Sequence, residues 1–414
     1  MVSTSPRVGA LLLLVGVAGC GSSTGSGQSS TPPNSLDVTV DQGPTALTSS
    51  GTATANVAYA TITVCSPGST TACQTVDHLL VDTGSTGLRF LHEALSPSVA
   101  LQPVIDSASG RALSECMLFA DGWSWGSVVT ADVTIAGRTI SGLVVNIMGD
   151  PASGTAPTAC TQGNGPEEDT VQSFQANGVL GVSYFLQDCG GYCADQVPTS
   201  GTAPFWACTA AGGDQGCSPV TVAVDRQPAN PIGMLATDNN GLILRFPSTG
   251  GSAAATLAGT LLFGIATQLD NPLGPAIFHA VDSTDGTLST TYNGHELPRS
   301  VVDSGSNAFF FTDSAISQCA TTDVGNGFYC PPSPIDAAAT LGGAQVGFTV
   351  DNADQLFANS PSASVYPGLA APIGDPQLSS SGFDWGLPFF FGRSVFVLFE
   401  TRSVGSTTGP AVGF

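Results

Sequence analysis

The sequence predicts an all-β protein of two lobes, and three observations carry that prediction. The 414 residues include 51 Gly and 28 Pro with only 10% charged residues, the composition of a turn-dense β protein long enough for two cores. Alternating or β-branched runs recur about every ten to fifteen residues, the spacing of short strands between turns. They include NVAYATITV, QTVDHLLV, SVVTADVTI, RTISGLVVNI, GLILRF, TLLFGI, GTLSTTY, AQVGFTV and RSVFVLFE, while helical patches such as 171–176 and 352–358 are few and short. Finally, one motif occurs twice, each time after an apolar run: Asp82-Thr83-Gly84-Ser85 and Asp303-Ser304-Gly305-Ser306. A repeat this distant implies two related halves, here a first lobe over 37–240 and a second over 241–414.

The N-terminal segment reads as targeting and not as fold. Arg7, the apolar stretch VGALLLLVGVA and the small residues of VAGC lead to Cys20, a stretch too short to span a bilayer as a helix. It resembles the lipobox of bacterial lipoproteins. That resemblance implies a signal peptide over 1–20, a lipid on Cys20 and, with Gly21 next, sorting to the outer membrane. Residues 21–36 are rich in Gly, Ser and Pro and predict a disordered tether.

Beyond Cys20 there are ten cysteines, an even number that in an exported chain predicts disulfides. Short-range pairs are Cys65 with Cys73, Cys319 with Cys330, and Cys116 with Cys160. Cys189, Cys193, Cys208 and Cys217 form a dense group whose pairing stays open. A zinc site is the rival there, without a histidine among the ligands. The charge of −22, from 31 acidic and 9 basic residues, supplies no basic stripe for phosphates and excludes nucleic acid as a partner. It predicts solubility outside the cell; a monomer is expected.

A carboxylate that ends a buried apolar strand costs several kcal/mol unless something compensates it, so LLVDTGSTGL at 79–88 needs an explanation. The pair DTGS and DSGS resembles the two active-site loops of pepsin-like aspartic peptidases. It resembles equally an uncharacterised bacterial lipoprotein family that carries both motifs. The supporting segments follow in order: NGVLGVSYF at 177–185 resembles the loop that crosses beneath the first aspartate, through Val179, Leu180 and Gly181. GTLLFGI, STTYNGHELPRSVVDSGS, WGLPFFFGRSVFVLFE and AVGF resemble the strands of the second lobe. The resemblance implies a bilobal fold with a cleft for a peptide or protein substrate, Asp82 and Asp303 as the catalytic pair, and no cofactor or metal. Like charges about 3 Å apart cannot both ionise, the rule that aspartic proteases exemplify. One shared proton then makes one side chain a base and the other an acid.

The same resemblance assigns the supporting loop. Thr83 and Ser304 would lock the loops together, Gly84 and Gly305 would let backbone approach the carboxylates, and Ser85 and Ser306 would brace their outer oxygens. Two departures stand out. In MLFADGWSWGSVVTADVTIAG, Phe119 takes the position of the tyrosine in the hairpin that closes over substrate, with Trp123 or Trp125 as substitutes. The second crossing loop falls on Gly386-Leu387-Pro388, where the family has two hydrophobic residues and a glycine, and Phe389-Phe390-Phe391 reads as core. These departures favour an alternative, a pepsin-like lipoprotein that binds envelope peptides without cleaving them. A serine hydrolase through Ser304 lacks flanking sequence, a glycosidase has only its carboxylate count, and His78, His92, His279 and His295 form no metalloprotease motif.

Overall fold

Alternating side chains give each predicted run one face for a core, and the runs become strands. The computed structural model describes residues 34–51, 53–198, 202–374 and 380–414, a chain of strands and turns with only short helices. The first half contains β1 (Ser35–Val40), β2 (Ala58–Cys65), β3 (Cys73–Asp82), β4 (Thr86–Leu91), β5 (Ala112–Leu118), β6 (Trp123–Ile135), β7 (Arg138–Met148) and β8 (Gly178–Val182). Strand β2 pairs with β3, β3 runs parallel to β8, β8 antiparallel to β4, and β4 parallel to β7. Strand β7 then pairs with β6, which returns to β2 and closes the ring. Closure removes free edges, and Val64, Val81, Leu88, Val133, Val145 and Leu180 fill the interior.

The second half contains β9 (Gly241–Arg245), β10 (Leu257–Phe263), β11 (Leu288–Tyr292), β12 (His295–Val302), β13 (Phe309–Phe310), β14 (Ile335–Leu341) and β15 (Ala344–Val350). It ends with β16 (Ala370–Ala371), β17 (Asp384–Trp385), β18 (Ser394–Leu398) and β19 (Ala411–Gly413). Its own sheet runs β15-β14-β11-β12-β17-β13-β16, over an aromatic core in which Phe383 stacks on Phe311 at 4.9 Å and on Trp385 at 4.3 Å. Here β12 is parallel to β17, β17 antiparallel to β13, and β13 parallel to β16. That is the order of β3, β8, β4 and β7, so the duplicated motif sits in a duplicated topology. The all-β, two-lobed class expected from the sequence is what the chain adopts.

A platform joins the halves. Strand β1 pairs with β10 in register from Ser35 opposite Leu262 to Val40 opposite Leu257, β9 links β10 to β18, and β18 pairs with β19. Within this one sheet, strands that precede residue 240 meet strands that follow it at the pairing of β1 with β10. The expected tether is corrected at its end: Ser35 and Leu36 are strand, because Leu36 pairs opposite Leu261 and is buried with the core. Five disulfides form. Three are the short-range pairs named above, and the open group resolves as Cys189–Cys193 and Cys208–Cys217. Such bonds persist in oxidising compartments, so the protein is extracytoplasmic. No helix among the described residues is long and apolar enough to cross a membrane. The helical patches appear as Val171–Phe174, with Thr170 capping its first turn, and Ala353–Asn359, capped by Asn352.

Candidate active site

Each half delivers its aspartate at the apolar end of a strand, Asp82 as the last residue of β3 and Asp303 directly after Val302 of β12. The small turn behind each folds back on it. The Gly84 N–H donates to Asp82 Oδ1 at 2.7 Å, and the Ser85 hydroxyl donates to Asp82 Oδ2. In the second half the Gly305 N–H donates to Asp303 Oδ1 at 2.7 Å and the Ser306 hydroxyl to Asp303 Oδ2 at 2.8 Å. Both carboxylates thus have one oxygen held by backbone and the other by a hydroxyl.

Thr83 and Ser304 tie the loops to each other. The Thr83 N–H donates to Ser304 Oγ at 3.1 Å and the Ser304 N–H to Thr83 Oγ1 at 2.9 Å. Each hydroxyl then donates across the interface, Thr83 to the carbonyl of Val302 at 3.0 Å and Ser304 to that of Val81 at 2.7 Å. Both residues are buried, where an unmade bond costs more than a made one contributes. Four reciprocal bonds therefore fix one loop against the other.

The glycines show how close the carboxylates come. A Cβ on Gly84 would lie 2.6 Å from Asp303 Cγ, and a Cβ on Gly305 would lie 2.5 Å from Asp82 Oδ1 and 3.1 Å from Asp303 Oδ1. Each glycine faces the other half's carboxylate, so only a residue without a side chain leaves room. The Asp303 carboxyl lies within hydrogen-bonding reach of Asp82, and its pKa stands well above the ordinary value. Loss of water is the first cause, followed by the charge of Asp82, that of Asp384 and the hydrogen bond with Asp82. A carboxyl pair so placed retains a proton where separate carboxyls would have lost theirs.

The crossing strands correct the expected match in the second half. Strand β8 sets Val179, Leu180 and Gly181 opposite Leu80, Val81 and Asp82. Strand β17 sets Asp384 and Trp385 opposite Val301 and Val302, and the Asp303 N–H donates to the Trp385 carbonyl at 3.1 Å. The equivalent segment is therefore Asp384-Trp385-Gly386, two residues before the expected Gly386-Leu387-Pro388, and the glycine is retained. Its function is the same in both halves: a Cβ on Gly181 would lie 2.6 Å from the Gly87 carbonyl oxygen, and one on Gly386 2.1 Å from that of Ala308. Leu387–Phe390 instead forms a buried 3-10 turn with Pro388 in its first turn. The aromatic run lies in the core as expected, with Phe389 and Phe390 fully buried.

This register places a third carboxylate in the site that the sequence reading missed. Asp384 stands where the first half has Val179, and its Oδ1 is buried without a hydrogen-bond partner. Burial, opposed by Ser306 and reinforced by the charge of Asp82, pushes its pKa up to about 7. The available signal was a lone acid inside the apolar stretch GFDWGLPFFF. The Tyr184 hydroxyl is likewise buried without a partner, and the Asp303 charge acts on it.

The hairpin formed by β5 and β6 turns at Phe119–Gly122, where the Phe119 N–H donates to the Gly122 carbonyl at 2.8 Å. The Phe119 ring packs on Phe174, with centroids 5.2 Å apart. Trp123 and Trp125 are buried in a separate cluster with the Cys116–Cys160 disulfide and Trp206. The Trp123 indole N–H donates to the Gly165 carbonyl at 3.2 Å, and the Trp125 backbone N–H donates to Asp169. Both tryptophans are thus core residues of the hairpin's support. Cys20 lies outside the described residues.

No curated protein matches the sequence. Among solved structures, the fold is similar to that of an aspartic proteinase from Irpex lacteus, at 16% identity and a TM-score of 0.49, covering 92% of this chain and 96% of that one. A family model described as "Protein of unknown function (DUF3443)" matches residues 30–414, and the chain belongs to that family.

Proposed function

We propose that this protein is an aspartic-type peptidase that hydrolyses peptide bonds through Asp82 and Asp303. One observation carries the reading: two mirrored loops bring two carboxylates into one buried site, each glycine facing the opposite acid. A water between the carboxyls gives its proton to the ionised acid and attacks the peptide carbonyl, while the other acid protonates the leaving amide nitrogen. The raised Asp303 carboxyl is the acid and Asp82 the base. Neither step needs a metal or a covalent intermediate. Asparagine at either position keeps the shape and its loop bonds but not the shared proton. Asp82→Asn and Asp303→Asn should each lower cleavage of an unfolded protein substrate at acidic pH by at least about 100-fold, with unchanged circular dichroism. A variant that still cuts at the wild-type rate removes the pair from the mechanism.

The site lies on a chain that we propose is anchored by a lipid on Cys20, facing peptide substrates in the cell envelope. Cys20→Ala should move the protein from the membrane fraction to the soluble one; an unchanged distribution overturns the anchor. One observation favours a binding role without cleavage, namely that Phe119 packs on Phe174 and brings no hydroxyl to the hairpin. The asparagine variants decide between the two, since a pure binder is indifferent to the shared proton.

A further inference from the structure

The two halves match closely around the carboxylates, and the difference that brings in a charge lies behind Asp303. In the first half the crossing strand offers Val179 opposite Leu80; in the second it offers Asp384 opposite Val301. A buried valine needs nothing from its surroundings. A buried carboxyl oxygen without a partner is costly, and Asp384 Oδ1 is one.

We infer that Asp384 is a positioning residue that acts through its own charge to keep the shared proton on Asp303. The inference deepens the peptidase reading and rests on it for its catalytic consequence, though not for the placement of the proton. Ser306 has a single hydroxyl proton, which it donates to Asp303 Oδ2 at 2.8 Å. That bond favours the ionised form of Asp303, so the opposing influence of Asp384 is its charge. When Asp384 loses its proton, a second negative charge stands beside Asp303, and the Asp303 proton is held more tightly. Other titratable groups do not reverse this. Facing Asp384 and Asp303 are Asp82 and the phenol of Tyr184, whereas His295, Glu296 and Arg299 of the adjoining strand β12 are exposed. Strand β13, on the other side of β17, consists of Phe309 and Phe310.

The arrangement breaks the symmetry of the pair. In a symmetric site either acid could hold the proton; here the second half contains the group that favours retention, which assigns Asp303 as acid and Asp82 as base. It also sets how far towards neutral pH the singly protonated state survives, since that state ends when the last shared proton leaves.

The test is the titration of the site carboxyls followed by carbon-13 NMR on protein labelled at aspartate, with resonances assigned from Asp82→Asn and Asp303→Asn. In Asp384→Asn the Asp303 titration should move to lower pH. Asp384→Val, which copies Val179, provides a second variant with no polar group to bury and should move it the same way. An Asp303 titration unmoved in both variants overturns the inference, whatever the protein does to substrates. The activity arm reads the consequence: Asp384→Asn should lose about tenfold in cleavage at pH 7 and much less at pH 4, whereas equal losses at both pH values overturn the proton-holding role. If wild type cleaves nothing while the Asp303 titration still shifts, the peptidase reading fails and the inference about the proton stands.

Discussion

Gly305 shows how little freedom the site leaves at the level of single residues. Its missing side chain is the space that Asp82 Oδ1 occupies, 2.5 Å from where a Cβ would be. The neighbouring Ser304 is pinned by bonds to Thr83 and Val81, so a methyl group at 305 cannot be relieved by shifting the loop. The carboxylate of Asp82 has to move instead. Gly305→Ala should therefore leave the strands intact but lower kcat/KM by about 100-fold, the usual effect of misplacing a reacting group by about 1 Å. Steady-state kinetics beside a thermal melt would check it, and a variant with full activity would show that the carboxylates do not need this separation. The same residues explain what a reader of the sequence could see. The DTGS and DSGS turns were legible because backbone approach to a carboxylate demands a particular set of small and hydroxyl residues, and that set appears twice. Asp384 was not legible. Identifying it requires the pairing of Asp384 with Val301, and a strand of two residues has too little pattern to set its own register. Aligning the glycine by local hydrophobicity shifts the match by two residues and hides the acid.

Among the elements, the strands were the easiest to anticipate and their faces the hardest. Trp123 and Trp125 are two apart on β6, so the period of two places both on the same side of the sheet. Sequence alone cannot say whether that side meets the cleft or a core. Trp206, on the strand that pairs with β5, and the Cys116–Cys160 disulfide occupy it, and distant partners of this kind leave no local trace. The segment around 165–169 then runs along the hairpin: the Trp123 N–H donates to the Pro166 carbonyl at 3.0 Å, and the Glu168 N–H to the Trp123 carbonyl at 2.8 Å. The hairpin is strapped from behind as well as pinned by a disulfide, so its tip is built for position more than for travel. The platform sheet teaches the same lesson. Strand β1 reads as the start of the first lobe, yet it pairs with both β2 and β10, so its backbone groups find partners on both edges. In that sheet the strands before residue 240 lie on the β1 side and those after it on the β10 side.

For the molecule as a whole, the excess of acid becomes a statement about stability and pH. Several carboxyls in the fold hold their protons more tightly than they would in an unfolded chain. Burial raises Asp384 to about 7, Glu168 to about 7, Asp169 to about 8 and Glu115 to about 8, and it raises Asp303 in the same direction. For Glu115 the loss of water outweighs Arg89, whose guanidinium also serves Asp188 at 2.8 Å. Between the ordinary carboxylate value and these raised values the native state binds more protons than the unfolded one, so stability falls as pH rises through that window. His78, raised by its bond to Asp41, adds the same sign at higher pH. Other groups set the acid limit: Asp106 is held low by the Ser109 hydroxyl and Asp214 by Thr158, and the stability they contribute is lost as pH falls through their depressed values. A formal charge of −22 at neutral pH adds self-repulsion that protonation relieves. The unfolding midpoint should therefore peak near about pH 5, drop by several degrees towards pH 8, and drop again below about pH 3. Calorimetry across that range at constant ionic strength would measure it. A midpoint that climbs from pH 5 to pH 8 would mean that these acids are ionised in the native protein, and with them the site carboxyl on which proton sharing depends.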